Sequence, residues 1–176
     1  MHALLIVDRD ARSSLSQDLQ SKVTALVEGK GHSLEILEVG SNDVVPCLGC
    51  LLCMTDRRRH GDCVIDDAVA KLNRRIGDFD LVCFLGPIAF GQFSSTIKNV
   101  TDKAKTIRML RSRSLIAIGY GNDVRDEETA TFLDVYRKHR GVADTVHTLV
   151  QERFEAFASH SLADNDAVCA ELGRVL

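Results

Sequence analysis

The feature that most constrains this chain is a group of four cysteines within one seventeen-residue stretch. Three of them recur at every third residue, as Cys47, Cys50 and Cys53, and the fourth follows as Cys63. Three thiols at this spacing can wrap one face of a small inorganic cluster, and a fourth from a nearby loop can hold the remaining corner. Packing needs do not produce such a repeat, so the pattern indicates a set of metal ligands.

Other uses of closely spaced thiols compete with this interpretation. A disulfide framework is typical of small secreted chains. Residues 1–8 show neither the basic leader nor the long apolar stretch of a secretion signal. We therefore expect a cytoplasmic location. Zinc is the stronger alternative, although zinc usually takes its thiols as two separated pairs. The run C-x2-C-x2-C is similar to the first three ligands of bacterial ferredoxins, which favours an iron-sulfur cluster, although the nine residues between Cys53 and Cys63 are more than such runs usually carry.

A third use of these thiols is redox sensing without a metal. In that case Cys50 or Cys53 would be a reactive thiolate that forms reversible disulfides. The remaining two cysteines, Cys83 in an apolar run and Cys169 in a late helical pattern, are predicted to be small core residues.

Length and composition indicate one soluble domain. The chain has 176 residues, 45% hydrophobic content and a formal net charge of −3, which suits a single domain over residues 1–176 with a cysteine-rich insertion at about 46–65. No apolar run approaches the roughly 18 residues of a membrane span. The mild acidity and the aromatic content of 5% argue against a nucleic-acid-binding surface.

The hydrophobic pattern predicts alternating strands and helices. Runs at residues 3–7, 81–85 and 115–118 lack polar alternation, as in parallel strands buried on both faces. Runs at 34–39 and 145–150 alternate apolar with polar residues, which is typical of strands at a sheet edge. Helical patterns lie at about residues 14–29, 66–76, 94–110, 126–141 and 164–176.

This order of elements predicts an α/β fold. We expect a flavodoxin-like three-layer sandwich, with a five-stranded parallel sheet in the order 2-1-3-4-5 and helices on both faces. The loops that follow parallel strands emerge at one edge, so loops 8–16, 40–65, 86–94 and 119–126 should converge. A ligand binds this fold between the first and third strands, so the cysteine segment should lie beside the ligand crevice.

Charged residues on the predicted third helix are expected to stabilise the helix and to take no part in chemistry. Lys98 and Asp102 are spaced to pair across one helical turn. A basic group toward the helix end is predicted to complement the helix dipole; it comprises Lys103, Lys105, Arg108, Arg111 and Arg113.

Motifs on both sides of the third strand resemble one family. Pro46 precedes the cysteine run, and the last cysteine opens the sequence C-V-I-D-D at residues 63–67. The third strand leads into P-I-A-F-G at residues 87–91, followed by Ser94, Lys98 and Asp102-Lys103. Over roughly residues 3–150, and most densely over 46–103, this combination resembles the iron-sulfur flavoprotein branch of the NAD(P)H-dependent FMN reductases.

The resemblance implies two cofactors and the residues that would bind them. The flavin ring of FMN would lie against a first loop, which consists of Pro87, Ile88, Ala89, Phe90 and Gly91. A second loop would flank the other side of the ring; it consists of Gly119, Tyr120 and Gly121. A [4Fe-4S] cluster would be held by the four clustered cysteines, Cys47, Cys50, Cys53 and Cys63. Members of this kind assemble as homodimers or homotetramers.

One segment departs from the family pattern. Members follow the first strand with a Gly-Ser-Pro-Arg segment that binds the FMN phosphate at a helix N-terminus. This chain instead has the sequence D-R-D-A-R-S-S-L-S at residues 8–16. Hydroxyl groups from Ser13, Ser14 and Ser16 and two arginines could still contact phosphate, but Asp8 and Asp10 would repel it. We therefore expect weaker FMN binding than is usual in the family.

The function predicted from the sequence is electron transfer by an FMN-dependent oxidoreductase. The flavin would receive a hydride from NAD(P)H, or electrons from a ferredoxin-like donor, and would pass single electrons to the cluster. The sequence has no G-x-G-x-x-G motif, so a nicotinamide would have to stack on exposed flavin. No side chain is nominated as a catalytic acid or base. The alternative is a non-catalytic module that binds zinc or a labile cluster and acts in redox sensing or protein interaction.

Overall fold

Strands form the centre of the molecule. A computed structural model describes residues 1–56, 62–105, 114–138 and 154–176. The strands within these ranges are β1 (His2–Asp8), β2 (Ser33–Val39), β3 (Leu81–Ala89), β4 (Gln92–Phe93), β5 (Ser114–Tyr120) and β6 (Phe154–Ser159). The helices are α1 (Ser14–Gly29), α2 (Leu52–Thr55), α3 (Ala68–Asn73), α4 (Ser95–Lys105), α5 (Asp126–Lys138) and α6 (Leu162–Val175), with a 3₁₀ turn at Ile76–Asp78.

The sheet has the predicted flavodoxin-like topology. Five strands pair in the order β2-β1-β3-β5-β6, and every one of these pairs is parallel. Counted without β4, this is the order 2-1-3-4-5, so the predicted fold class is confirmed. The short strand β4 is an addition, because it folds back on β3 as an antiparallel hairpin.

The predicted element boundaries held best where the sequence pattern was strongest. Helix α1 spans the predicted residues, whereas the predicted helix at 66–76 is shortened to α3. The fifth parallel strand is β6; the segment 145–150, where it was predicted, lies outside the described residues, as do the predicted helical residues 106–110 and 139–141. Strand β6 reads F-E-A-F-A-S and contains no β-branched residue, so its strand propensity gave little signal.

Side chains on the central strands pack on both faces of the sheet. On one face, Leu4 and Ile6 of β1 join a cluster that includes Val69, Ile97 and Phe132 from α3, α4 and α5. On the other face, the alternate β1 residues Ala3, Leu5 and Val7 join a cluster with residues of α1 and α6, among them Leu19, Val23 and Leu172. The period of two along each strand therefore divides one apolar run between two cores, which gives the three layers.

The two cysteines outside the clustered group are packed in this core. Cys83 on β3 is buried, and burial raises the pKa of its thiol to about 12. Cys169 on α6 is partly buried against the apolar cluster that contains Cys83, and this burial is the main reason why the pKa of its thiol is raised. Neither thiol favours the reactive thiolate form, and their predicted role as core residues is confirmed.

We predict that Gly119→Ala lowers stability because the glycine leaves room for core side chains. A Cβ atom there would lie 2.6 Å from Ile88 and 2.8 Å from Phe132. Overpacking of this kind costs about 1 to 3 kcal/mol of unfolding free energy, which denaturant titration would measure. The matched control is Gly29→Ala, where a Cβ meets nothing within 4 Å, so stability should stay level or rise by up to about 1 kcal/mol. Equal losses in both variants would contradict the packing argument.

We also predict that both tyrosines of the chain resist ionisation in the folded state. Tyr120 and Tyr136 are the two tyrosines present, and burial raises the pKa of each to about 12. Unfolded tyrosines lose their proton near pH 10, so the unfolded state is favoured as the pH rises above about 10, and stability declines there. Absorbance at 295 nm should show no tyrosinate in the folded protein up to about pH 11, and a normal transition in denaturant.

Candidate functional site

The four clustered cysteines line one concave pocket. Cys47, Cys50, Cys53 and Cys63 share this pocket with the apolar side chains of Leu48, Leu51, Val64 and Ile65 and with Lys103. All four cysteines are free thiols, with Cys47 and Cys50 exposed and the other two partly buried. The structure therefore brings together the residues that the sequence selected as ligands.

The backbone of the cysteine segment turns sharply around this pocket. Gly49 has a φ of 64° and Leu51 a φ of 58°, so the chain is left-handed once between Cys47 and Cys50 and once between Cys50 and Cys53. Such a conformation is uncommon for leucine. Helix α2 begins directly afterwards and carries Cys53. On the other side of the pocket, the Ile65 N–H donates to the Cys63 sulfur over 3.5 Å, a contact of the kind that tunes sulfur ligands of clusters.

The arrangement of the thiols can be compared with what zinc and a cluster require. Among the described residues, no group of three or more Cys, His, Asp or Glu side chains is placed to hold a metal ion. One zinc ion would require four sulfurs at about 2.3 Å from a single point. In a cubane cluster each cysteine binds a different iron, so the sulfurs stand farther apart. The described thiols share one pocket but are not assembled into a metal site, so their placement does not select between the two.

A buried carboxylate closes the cysteine segment at its base. Asp67 is 8% exposed, and its oxygens accept hydrogen bonds from the backbone N–H groups of Val45 at 2.9 Å and Ala70 at 3.0 Å. Next to it, the Ala68 N–H donates to the Asp43 carbonyl over 3.1 Å. Because Val45 precedes the first cysteine and Asp67 follows the last, these bonds join the two ends of the segment.

Lys103 links this base to the pocket. It comes from α4, its side chain is 2% exposed, and its amine pairs with Asp67. Burial alone would raise the pKa of Asp67, but the hydrogen bonds from Lys103, Ala70 and Val45 outweigh it and hold the pKa below the ordinary value. The sequence predicts only that Lys103 complements the helix dipole, whereas the structure buries its side chain against Asp67. The reason is that the face of α4 that carries Lys103 is covered by the cysteine segment, as its place in the pocket lining shows.

The loop after β1 contains a second buried carboxylate. Asp8, the last residue of β1, is 2% exposed. It accepts a hydrogen bond from the Ser94 hydroxyl at 2.7 Å and another from the Asp10 N–H at 3.0 Å. Ser94 directly precedes α4, so the carboxylate lies where the first and third strands of the parallel sheet both end.

The charged residues of this loop pair with their neighbours. Arg9 lies 2.9 Å from a carboxylate oxygen of Asp43, and Arg12 pairs with Glu38. Asp10 accepts hydrogen bonds from Ser41, whose backbone N–H donates over 2.7 Å and whose hydroxyl donates over 2.8 Å. The bond from the Ser41 N–H is the main cause that lowers the pKa of Asp10. The two arginines that the sequence offered as phosphate ligands therefore contact carboxylates.

The predicted phosphate-binding serines divide between helix capping and solvent. Ser13 is the N-cap of α1 and accepts a hydrogen bond from the Ser16 N–H at 3.1 Å, while the buried Ser16 hydroxyl accepts one from the Ser13 N–H at 2.8 Å. This reciprocal pair is a capping box. Ser14 is exposed. The capping role of Ser13 accounts for the start of α1 without any bound phosphate.

The predicted flavin-ring loop is a β-hairpin. Phe90 and Gly91 form its turn, with φ values of 51° and 72°, which matches the positive φ values of a type I′ turn. Phe90 is 90% exposed at the tip. Pro87 and Ala89 are partly exposed, whereas Ile88 is buried.

The glycines of the two predicted ring loops are packed against this chain's own side chains. A Cβ at Gly91 would lie 2.7 Å from Thr131, and one at Gly121 would lie 2.5 Å from Val124. Tyr120 points inward, where its hydroxyl donates to the Ala11 carbonyl over 2.8 Å. The part of the loops that faces outward consists of Pro87, Ala89, Phe90 and Gly121.

Sequence reasoning missed the residues that organise the site. Asp67 gave a weak signal, since an aspartate that precedes a helical pattern is a common N-cap, and it does cap α3. Lys103 belongs to the Asp102-Lys103 motif that supports the family resemblance, but nothing local in the sequence indicates that it pairs with Asp67. The predicted pair of Lys98 and Asp102 is present at 2.5 Å and is confirmed.

The fold and site define a flavodoxin-like protein with loops that converge at one sheet edge and a thiol-lined pocket. Residues 1–144 match the family of NADPH-dependent FMN reductases. The chain belongs to this family, as its motifs predicted. Within the described ranges, no helix is long and apolar enough to cross a membrane.

Two curated relatives are similar over part of the chain. An iron-sulfur flavoprotein of Methanocaldococcus jannaschii is 24% identical over 116 residues, which are 63% of this chain and 58% of that protein. An iron-sulfur flavoprotein of Archaeoglobus fulgidus is 28% identical over 83 residues, which are 47% of this chain and 39% of that protein. This chain therefore matches about half of the length of these relatives.

Solved structures agree with the fold. The NAD(P)H:quinone oxidoreductase from Methanothermobacter marburgensis superposes with a TM-score of 0.70 at 13% identity, covering 99% of this chain and 98% of that one. The Trp repressor binding protein from Bacillus subtilis gives a TM-score of 0.61 at 14% identity, with complete coverage of both chains. At such identities the likeness supports the fold alone.

We predict that Lys103→Met destabilises the protein strongly, because it leaves the buried Asp67 carboxylate without its cation. Breaking a buried pair in this way costs about 3 to 5 kcal/mol of unfolding free energy. The matched control is Lys98→Met on the same helix, which removes a half-exposed pair worth about 0.2 to 0.5 kcal/mol.

The pH dependence provides a second measurement of the same pair. The pKa of Asp67 is lowered in the folded state, so the stability that this group contributes is present above its unfolded pKa of about 3.9 and is lost as the pH falls below it. Acid titration of stability should therefore be steeper in the parent than in Lys103→Met. Equal slopes, or equal losses in the two lysine variants, would show that the pair does not support the fold.

Proposed function

We propose that this protein is a flavin-dependent oxidoreductase that passes electrons between NAD(P)H or a ferredoxin-like protein, FMN and a [4Fe-4S] cluster. The cluster ligands are Cys47, Cys50, Cys53 and Cys63. The observation that carries the proposal is that these four thiols line one pocket in a member of the FMN reductase family. The names of the two iron-sulfur flavoproteins that match the chain support it.

The pocket supplies what a cluster of this type needs. Apolar side chains line it beside the thiols, and the N–H group of Ile65 donates a hydrogen bond to the Cys63 sulfur. The buried side chain of Lys103 forms part of the pocket wall and pairs with Asp67. Asp67 then keeps Lys103 and both ends of the cysteine segment in place.

Helix α4 runs from the sheet edge to the cysteine pocket, so its length gives the distance between the two proposed sites. Ser95 begins α4 beside the flavin edge, and Lys103 lies eight residues later, about 12 Å along the helix axis. One rigid helix therefore connects the two proposed sites.

The flavin part of the proposal depends on the hairpin and on the loop after β5. When bound, a flavin accepts a hydride from a nicotinamide and can release its electrons singly. The outward-facing groups that would contact its ring are Pro87, Ala89, Phe90 and Gly121. These residues position a planar ligand without donating a proton, so orientation is the contribution of the protein here.

A second candidate function is favoured by one observation. The buried Asp8 carboxylate occupies the loop that binds phosphate in flavodoxin-like proteins. A chain without bound flavin could still use the cysteine pocket as a metal-binding redox sensor or interaction module, with zinc or a labile cluster.

The wider setting is also part of the proposal. The chain functions as a single domain with the cysteine-rich insertion at about residues 46–65, in the cytoplasm. It assembles as a homodimer or homotetramer, which size-exclusion chromatography with light scattering would test directly.

We predict that Cys50→Ala abolishes cluster binding and leaves flavin binding intact. After anaerobic reconstitution, the parent should contain about four iron and four sulfide per chain with broad absorption near 400 nm, and the variant should contain less than about one iron. The matched control is Cys169→Ala, which removes a thiol on α6 outside the pocket and should keep the full iron content.

The same samples separate the alternatives. Stoichiometric zinc with no sulfide would support the sensor module in place of the electron-transfer protein. Reversible disulfides without metal would support a thiol sensor. Equal iron in the Cys50 and Cys169 variants would contradict the assigned ligand set.

A further inference from the structure

We propose that the Asp8 carboxylate takes the place of the flavin phosphate, so that the protein binds riboflavin at least as tightly as FMN. This inference rests on the proposed flavin function and specifies the chemical class of flavin that the site accepts. It concerns the loop after β1, where the structure departs from what a phosphate requires.

The position of Asp8 is the first argument. It ends β1, which lies between β2 and β3 in the sheet. In a flavodoxin-like sheet the ligand lies at this switch point, outside the carboxyl ends of the strands. A phosphate is normally received there by backbone N–H groups at the start of the following helix. An ionised side chain at the end of β1 therefore stands next to the phosphate position.

The second argument is that four hydrogen-bond donors near this position already serve acceptors within the protein. The Ser94 hydroxyl and the Asp10 N–H donate to Asp8. The N–H groups of Ser13 and Ser16 donate to each other's hydroxyl oxygens. A phosphate would have to displace these acceptors to gain the same donors.

The third argument is electrostatic. Two carboxylates, Asp8 and Asp10, lie in the loop, and the nearby guanidinium groups of Arg9 and Arg12 contact Asp43 and Glu38. A phosphate dianion would meet negative charge at close range, with the compensating cations already engaged. In other proteins of this fold the ligand phosphate is the anion at this position. Here the Asp8 carboxylate is the anion, and it belongs to the protein itself.

The ring-contacting surface is not subject to this conflict. Pro87, Ala89 and Phe90 are on the hairpin, which is formed by β3 and β4 and does not include the loop after β1. The isoalloxazine ring can bind there whether or not the ribityl chain ends in a phosphate. Discrimination against the phosphate should therefore come from the loop after β1.

The test is a titration of the purified full chain with riboflavin and with FMN, followed by flavin fluorescence. The parent should bind riboflavin at least as tightly as FMN. Asp8→Asn keeps the shape of the side chain and an acceptor for Ser94 while removing the charge, so FMN affinity should rise about tenfold relative to riboflavin. Asp10→Asn, at an exposed position, should shift the ratio in the same direction, which keeps the test valid if the Asp8 variant does not fold.

The matched control is Glu28→Gln. It removes one negative charge from an exposed residue of α1, about 21 Å along the helix from Ser14. Its ratio of FMN to riboflavin affinity should equal that of the parent, because charge at that distance is largely screened.

The outcomes distinguish this inference from the proposed function. A parent that binds FMN at least tenfold more tightly than riboflavin overturns the inference and leaves the flavin function standing. A preference that is unchanged in both aspartate variants also overturns it. A parent and aspartate variants that bind neither flavin overturn the inference and the flavin function together. Binding of FMN gained only in the aspartate variants supports the inference.

Discussion

The structure depends on three central strands whose side chains are buried on both faces. Strands β1, β3 and β5 place alternate residues into two separate apolar clusters, so helices must cover the sheet on both sides. Parallel pairing then requires every connection to cross back over the sheet. As a consequence, the loops that carry the chemistry all emerge at one edge, although they come from distant parts of the sequence.

Two buried carboxylates then determine what that edge and the neighbouring segment can bind. Asp67 accepts two backbone N–H groups and the amine of Lys103, and it holds the cysteine segment closed. Asp8 accepts a serine hydroxyl and one N–H group in the loop that would otherwise serve an anion. In both places a protein carboxylate is used to organise a loop, because a buried carboxylate is tolerated only when donors surround it. The first holds the base of the thiol-lined pocket, and the second fixes the loop after β1.

Much of the fold could be predicted from the sequence. Apolar runs without alternation located β1, β3 and β5, and the pattern ending at a glycine located α1. The edge strand β6 was harder, because its composition carries little strand propensity and its place is set by pairing with β5. The four cysteines could be chosen as a set from spacing alone. The roles of Gly91 and Gly119 could not, because their missing side chains make room for Thr131, Ile88 and Phe132, contacts that exist only once α5 is packed on the sheet.

The sequence by itself determined the strand and helix order, the extent of α1 and the identity of the clustered thiols, because each of these depends on residues close together in the chain. The tertiary structure decided that Lys103 is buried against Asp67, 36 positions away, and that Ser94 donates to Asp8, 86 positions away. No local pattern encodes such pairs. Their energies depend on burial, and burial exists only after the crossovers have brought separate loops to the same edge.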